Sequence, residues 1–227
     1  MARTLDPVVH TVRRDAILDV AERILGTRGY EQMSVQGIQD ELGVSRGAIY
    51  HYFDSKADLL DALVARMVDQ IAAVTQPVVD DPSIPALQKL RAFFRASARW
   101  KAERRDLLIA VLRAWYSADN AVVRERYRGA ARTRLQPQLA SIVRQGAAAG
   151  VFQVRSPEHV AEILISLAEG LGDASTALFL ARLDRRVPYE AVERAIASYA
   201  EAIERILGLA PGSLELVDAE ALRFWFG

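Results

Sequence analysis

Cysteine is absent from the 227 residues, which removes disulfides, thiol nucleophiles and thiolate metal sites together. Histidine is almost as scarce. His10, His51 and His159 lie far apart, and no acidic cluster surrounds any of them, so neither a metal site nor a cofactor is expected. Lysine occurs only as Lys56, Lys89 and Lys101 among 29 basic residues, leaving arginine to carry the positive charge. An excess of either sign is missing too: 29 Asp and Glu balance the 29 bases. Residues 1–56 hold seven Lys and Arg against eight Asp and Glu, so bulk charge makes no case for a nucleic-acid partner. Any basic face must be local. No stretch of roughly 18 uncharged apolar residues is present, so no membrane span is expected. The first thirty residues carry charges throughout and offer no apolar segment of the secretory kind, which leads to an expected cytoplasmic location with no membrane partner.

Catalytic signatures are lacking as well. The chain has no Gly-x-Ser-x-Gly elbow, no phosphate-binding loop and no His-x-x-x-His pair. Glu169 and Asp173, one helical turn apart, come nearest to a carboxylate pair, and acids at that spacing are usually solvated or paired to arginines. An enzyme is not expected.

What the chain does have is helical periodicity almost everywhere, with no convincing strand alternation, and this predicts an all-α fold. The 51% hydrophobic and 26% charged content suits a globular chain of one domain, or a small domain joined to a larger one. A first helix is expected over about 11–27, with Ile17, Leu18, Ala21, Ile24 and Leu25 as its apolar stripe and Gly29 as its stop. Ser34 should cap a short second helix carrying Val35, Ile38 and Leu42, ended by Gly43. A third should run from Ser45 to about Phe53. Ser55 and Asp58 form a capping-box-like pair ahead of a fourth, expected to end near Thr75 before Pro77. Residues 76–85, with three prolines and two aspartates, mark a loop and module boundary. Five longer helices follow, near 84–102, 104–117, 120–149, 156–181 and 188–208. Pro137 should kink the third of these, and Ser156 with Pro157 should begin the fourth. Residues 209–227 form a tail whose Phe224, Trp225 and Phe226 must find cover.

Two short helices joined by a glycine turn and backed by a third meet the physical requirements of a helix-turn-helix. Val35, Ile38, Leu42, Val44 and Ile49 would form its small core. Ser45, Arg46, Gly47, Ala48, Tyr50 and His51 would face outward. Arg46 offers paired donors suited to guanine, and Ala48 can approach a thymine methyl. Tyr50 and Tyr52 bring hydroxyls for phosphate oxygens, and Lys56 adds charge at the start of the next helix. Periodicity alone leaves a plain helical hairpin open.

The run from Gly43 to Lys56, GVSRGAIYHYFDSK, followed by Leu59 and Leu60, closely resembles the signature of the TetR family of transcription regulators. Ile17, Ala21, Gly29, Tyr30, Ser34 and Ile38 fall at hallmark positions of that family's first two helices, so the resemblance covers about residues 12–62. It implies a ligand-responsive repressor that binds a palindromic double-stranded DNA operator as a homodimer. Activation, or a helical dimer that binds a small molecule or protein without DNA, stays open as an alternative. It further implies phosphate contacts from Ser34, Ser45, Tyr50, Tyr52 and Lys56, and base contacts from Arg46, Gly47, Ala48 and His51. Arg3, Arg13 and Arg14 could add backbone or minor-groove contacts. The chain departs from the family pattern at Gln39, where a small alanine is usual, at Ala48 in place of threonine, and at Ala57 in place of an acid.

The resemblance divides the chain into a DNA-binding domain over 1–56, with a linking helix over 55–75, and a helical effector-binding and dimerisation domain over 57–227. Dimerisation is expected on the last two long helices, through Val160, Ile163, Leu164, Leu167 and Leu171 on one and Val192, Ile196, Ile203 and Ile206 on the other. Gly170 and Gly172 would allow close approach. The family's middle helices enclose a small-molecule pocket. A hydrophobic or aromatic effector is expected here against Phe94, Ser97, Leu108, Leu112, Trp115, Tyr116 and Tyr127, with Arg113 and Asp173 as polar anchors.

Overall fold

A computed structural model describes residues 7–115 and 121–227, with the backbone alone at Pro7, Trp115 and 121–123. Every regular element among the described residues is an α-helix. In order they are α1 (Pro7–Arg28), α2 (Val35–Leu42), α3 (Arg46–Tyr50), α4 (Lys56–Asp80), α5 (Ala86–Glu103), α6 (Arg105–Trp115), α7 (Ala121–Ala148), α8 (Pro157–Leu183), α9 (Tyr189–Leu207) and α10 (Ala219–Phe226). They divide into two compact units. The first takes the chain up to Met67 together with Arg104–Tyr127; the second takes Val68–Glu103 and Arg128–Gly227.

In the first unit α1 starts at Pro7, four residues ahead of the expected position, because proline's missing N–H costs nothing in a first turn. Ile17, Leu18, Val20, Ala21, Ile24 and Leu25 are buried along it. Gly29 stops it at φ 81°, in the left-handed region where a side chain would be strained. α6 lies along α1, and Leu107 meets Gly26 closely.

α4 corrects an expectation. It passes through Pro77 and ends only at Asp80. Pro77 has no N–H to offer the Ala73 carbonyl, and the turn ahead of it is instead bonded by Gln138, 61 residues further along the chain. Gln138 Nε2 donates to the Ala72 carbonyl at 2.9 Å and to Gln76 Oε1 at 2.7 Å. The buried Thr75 hydroxyl sits 2.9 Å from the Ile71 carbonyl and 2.6 Å from Gln138 Oε1. At the helix end the buried Lys89 ammonium donates to the Val79 carbonyl at 2.6 Å. The loop is therefore confined to 81–85.

In the second unit α7 and α8 are tied by Arg128 to Asp173 at 2.7 Å, Arg132 to Glu169 at 3.0 Å, and Arg144 to Glu158 at 3.2 Å. Ser156 precedes α8, with Pro157 in its first turn as expected, but its hydroxyl makes no cap. It bonds His159 Nδ1 at 2.7 Å instead. The tail, for which no helix was predicted, ends in α10, capped by Asp218 accepting from the Ala221 N–H at 2.7 Å. Phe226 is buried edge-on to Phe179, and Arg182 Nε donates to the Phe226 carbonyl at 2.9 Å. Upstream, the buried Glu204 carboxylate accepts from the Gly212 and Leu214 N–H groups at 3.0 and 2.7 Å, closing the 208–214 loop.

Candidate nucleic-acid interface

The helix pair α2–α3 is built from capping chemistry. Ser34 Oγ accepts from the Gly37 N–H at 3.0 Å and starts α2. Gly43, at φ 63°, ends α2 and returns its N–H to the Gln39 carbonyl at 2.9 Å. Two residues later Ser45 Oγ accepts from the Ala48 N–H at 3.3 Å and starts α3. After His51 closes α3, Ser55 Oγ accepts from the Asp58 N–H at 3.0 Å while Asp58 Oδ2 accepts from the Asp54 N–H at 3.1 Å. Five helix ends thus follow one another within 25 residues, each with at least one of its orphan backbone groups satisfied.

The core beneath is Met33, Ile38, Ile49 and Phe53, all at most 2% exposed. Val35 and Leu42 contribute half-buried. Val44 corrects the expected core: it is 36% exposed, because the left-handed Gly43 swings it out of the helix-pair interior. Met33, in the turn before α2, takes its place, and no periodic signal marks that position.

Ile49 is the one buried residue of α3. Ser45, Arg46, Gly47, Ala48, Tyr50 and His51 are exposed, as expected. Gly47 has nothing within 4 Å of where a side chain would stand, so its surface is free for close approach. Arg46 Nη2 donates to Tyr50 Oη at 3.2 Å, with the guanidinium 5.3 Å from that ring's centroid. The hydrogen bond to Tyr50 raises the guanidinium's pKa above its ordinary value. Tyr52 and Lys56 are half-buried at the border. Lys56 Nζ sits 4.1 Å above the Tyr30 ring and donates to the Glu31 carbonyl at 3.2 Å, which fixes a flexible cation in place. Ser34 is exposed nearby in sequence at the start of α2.

The neutral bulk charge resolves into separate groups. Glu41 pairs with Arg23 and Arg28, and its carboxyl is held below the usual range chiefly by the Arg23 hydrogen bond. Asp19 and Glu22 both pair with Arg66. Among the described residues no carboxylate lies within ion-pair distance of Arg13, Arg14, Arg46 or Lys56. Arg14 instead stands 5.4 Å over the Phe53 ring. Arg3 lies outside the described residues.

The expected effector residues belong to both units. Phe94 is buried edge-on to Phe93 at 5.6 Å, with Ser97 half-buried on the same helix, α5. Asp173, also in the second unit, is engaged by Arg128. In the first unit Leu108, Leu112 and Tyr127 are half-buried and Arg113 is exposed. Tyr116 and the Trp115 side chain lie outside the described residues. The Glu169–Asp173 pair is occupied by arginines, as the spacing suggested. No group of three or more potential metal ligands occurs among the described residues.

The α8–α9 stripes split in two. Leu164, Val192, Ile196 and Ile203 are buried within the unit, whereas Ile163 is 47% exposed and Val160, Leu167, Leu171 and Ile206 are half-exposed. Gly170 accommodates the Tyr199 hydroxyl of α9, so its missing side chain serves packing inside the chain. By length and composition alone α8 is apolar enough to cross a membrane.

Comparison with known proteins agrees with this geometry. Residues 17–63 match the family of bacterial regulatory proteins of the tetR family, and residues 83–172 match the tetracyclin repressor-like C-terminal domain. The HTH-type transcriptional repressor KstR2 of Mycobacterium tuberculosis is 33% identical over 85 residues, 37% of this chain and 42% of that protein. The HTH-type transcriptional repressor AcnR of Corynebacterium diphtheriae is 39% identical over 66 residues, 27% and 35% of the two chains. The chain thus spans about two fifths of the length of the curated relatives it matches. A solved tetR-family transcription regulator from Shewanella sp. PV-4 shares the fold with a TM-score of 0.55 at 22% identity, over 83% of this chain and 96% of that one. RolR, solved without ligand, does so at 0.58 and 15% identity, over 92% and 95%. With a matching DNA-head model, a matching C-terminal model and an intact capped helix pair between Ser34 and Lys56, the chain belongs to the TetR family of bacterial regulatory proteins.

Proposed function

We propose that the protein is a cytoplasmic, DNA-binding transcriptional repressor that grips a palindromic operator as a homodimer and releases it when a small hydrophobic or aromatic effector binds. The observation that carries the reading is α3: one buried anchor, Ile49, behind an edge of exposed donors and small residues from Ser45 to His51. That edge fits a major groove, with Arg46 and His51 at base edges and Ser34, Ser45, Tyr50, Tyr52 and Lys56 at phosphates.

One five-residue helix reads too few base pairs to hold a site alone, so two heads about 34–36 Å apart are needed. The half-exposed side chains Val160, Ile163, Leu167 and Leu171 of α8, with Ile206 of α9, supply a surface that a second copy would cover around a two-fold axis. The same cover accounts for an apolar α8 without a membrane. An effector would act by favouring a head spacing that no longer matches successive grooves.

Selection of genomic fragments by the purified protein, followed by binding to the enriched site across a salt series, tests the reading. The expected result is a palindromic site with steep salt dependence. Recovery of random fragments, or a flat salt response, refutes it.

A further inference from the structure

His10 stands in the second turn of α1, outside the helix pair that reads DNA, yet its ring is built into that pair's far end. Its centroid is 4.6 Å from that of Tyr52, tilted by 46°, and 5.9 Å from that of His51, edge-on at 75°. His51 and Tyr52 are themselves edge-on at 5.1 Å. Three rings therefore touch in a closed triangle. Two of them follow α3 directly, one exposed and one half-buried, and a tyrosine at such a border is free to swing between staggered rotamers unless something holds it. The only member supplied by another helix is His10.

We infer that His10 is a positioning residue for DNA recognition: its ring holds Tyr52 and His51 in the orientation in which they meet the duplex, without touching DNA itself. The inference rests on the DNA-binding reading above. Offset and edge-on ring contacts of this kind set orientation as well as adding attraction. With His10 gone, Tyr52 would share its time among about three wells, and binding would be weakened by the fraction in the productive one. In a two-headed complex that amounts to about a tenfold loss of affinity.

The test uses the full-length protein and its selected genomic site. His10→Ala should bind about tenfold more weakly with the slope of log K against log salt unchanged, and His10→Phe, which restores a ring without a titratable nitrogen, should return affinity to within about twofold of the parent. Thermal unfolding of both variants should match the parent. Ring-to-ring nuclear Overhauser contacts between His10 and Tyr52 in the free parent, read without DNA, should be present. Unchanged binding by His10→Ala overturns the role, and so does failure of His10→Phe to rescue. A salt slope lower by about one in His10→Ala would mark His10 as a phosphate contact and overturn it as well. If the ring contacts are seen but the parent enriches no site, the DNA reading falls first and this role with it; if the parent binds DNA but the contacts are missing, this inference alone falls.

Discussion

Replacing Gln39 by alanine is expected to stabilise the protein. The Gln39 side chain is half-buried on α2, and its Oε1 is shut away from solvent without a hydrogen-bond partner. An orphaned buried acceptor costs about 1–3 kcal/mol. Alanine removes it and improves helix propensity by about 0.4 kcal/mol. Against this, the Cγ methylene leaves a half-buried site, a loss of about 0.4 kcal/mol at half the usual value for full burial. The cap at Gly43 uses the Gln39 backbone carbonyl and is untouched. The balance is a gain of about 1 kcal/mol, taking the conservative end of the first figure. For a chain of this length that moves Tm up by about 2–4 °C and the urea midpoint upward at constant m. Gln39→Met separates the contributions, since it keeps the methylenes and deletes the acceptor; it should gain at least as much as alanine. The reasoning is refuted if both variants unfold earlier than the parent, which would mean that the amide is satisfied in solution.

Arg46→Ala should lower operator affinity by about 10- to 100-fold per head, the value of a paired guanine contact, while thermal unfolding stays put; equal binding by variant and parent in a gel-shift titration would remove Arg46 from the reading face. Ile49→Ala should destabilise by about 2–5 kcal/mol in urea unfolding, because the one anchor of α3 would be replaced by a cavity. Gln138→Ala should cost about 1–3 kcal/mol, since it strips partners from Thr75 and the Ala72 carbonyl in the turn before Pro77; a loss below about 0.5 kcal/mol would show that α4 is carried past Pro77 by other contacts. Glu41 supplies a pH signature. Its folded carboxyl is depressed by Arg23, so its contribution is present above the unfolded value of about 4.3 and is lost as pH falls through the lower folded value. Stability curves of parent and Glu41→Gln should therefore converge as pH drops below about 4, and parallel curves would contradict the pairing.

The helix pair was legible because its determinants are local. Ser34, Gly43, Ser45, Ser55 and Asp58 each act on a backbone group within four residues, and each does so in the structure. What sequence reading missed depends on partners distant along the chain. Nothing near Pro77 announces that Gln138 will bond to the turn of α4 ahead of it. α10 went unseen because its eight residues are too few for periodicity to register, whereas its capping aspartate and the Phe179 and Arg182 contacts fix it. Met33 and Val44 exchanged roles because a left-handed residue between two helices redirects the chain in a way that counting positions does not follow. Which arginine pairs with Asp173 was equally hidden, since Arg128 lies 45 residues away.

The single anchor of α3 has an evolutionary consequence. Ile49 alone ties that helix to the interior, while Arg46, Gly47, Ala48 and Tyr50 project from it with little bearing on packing. Exposed positions of this kind accept most substitutions at within about 0.5 kcal/mol of folding stability. If this helix reads DNA as proposed, mutation can rewrite which letters are read nearly independently of whether the protein folds. A lineage carrying this helix can drift to a new operator one exposed residue at a time, and every intermediate remains a foldable protein on which selection can act.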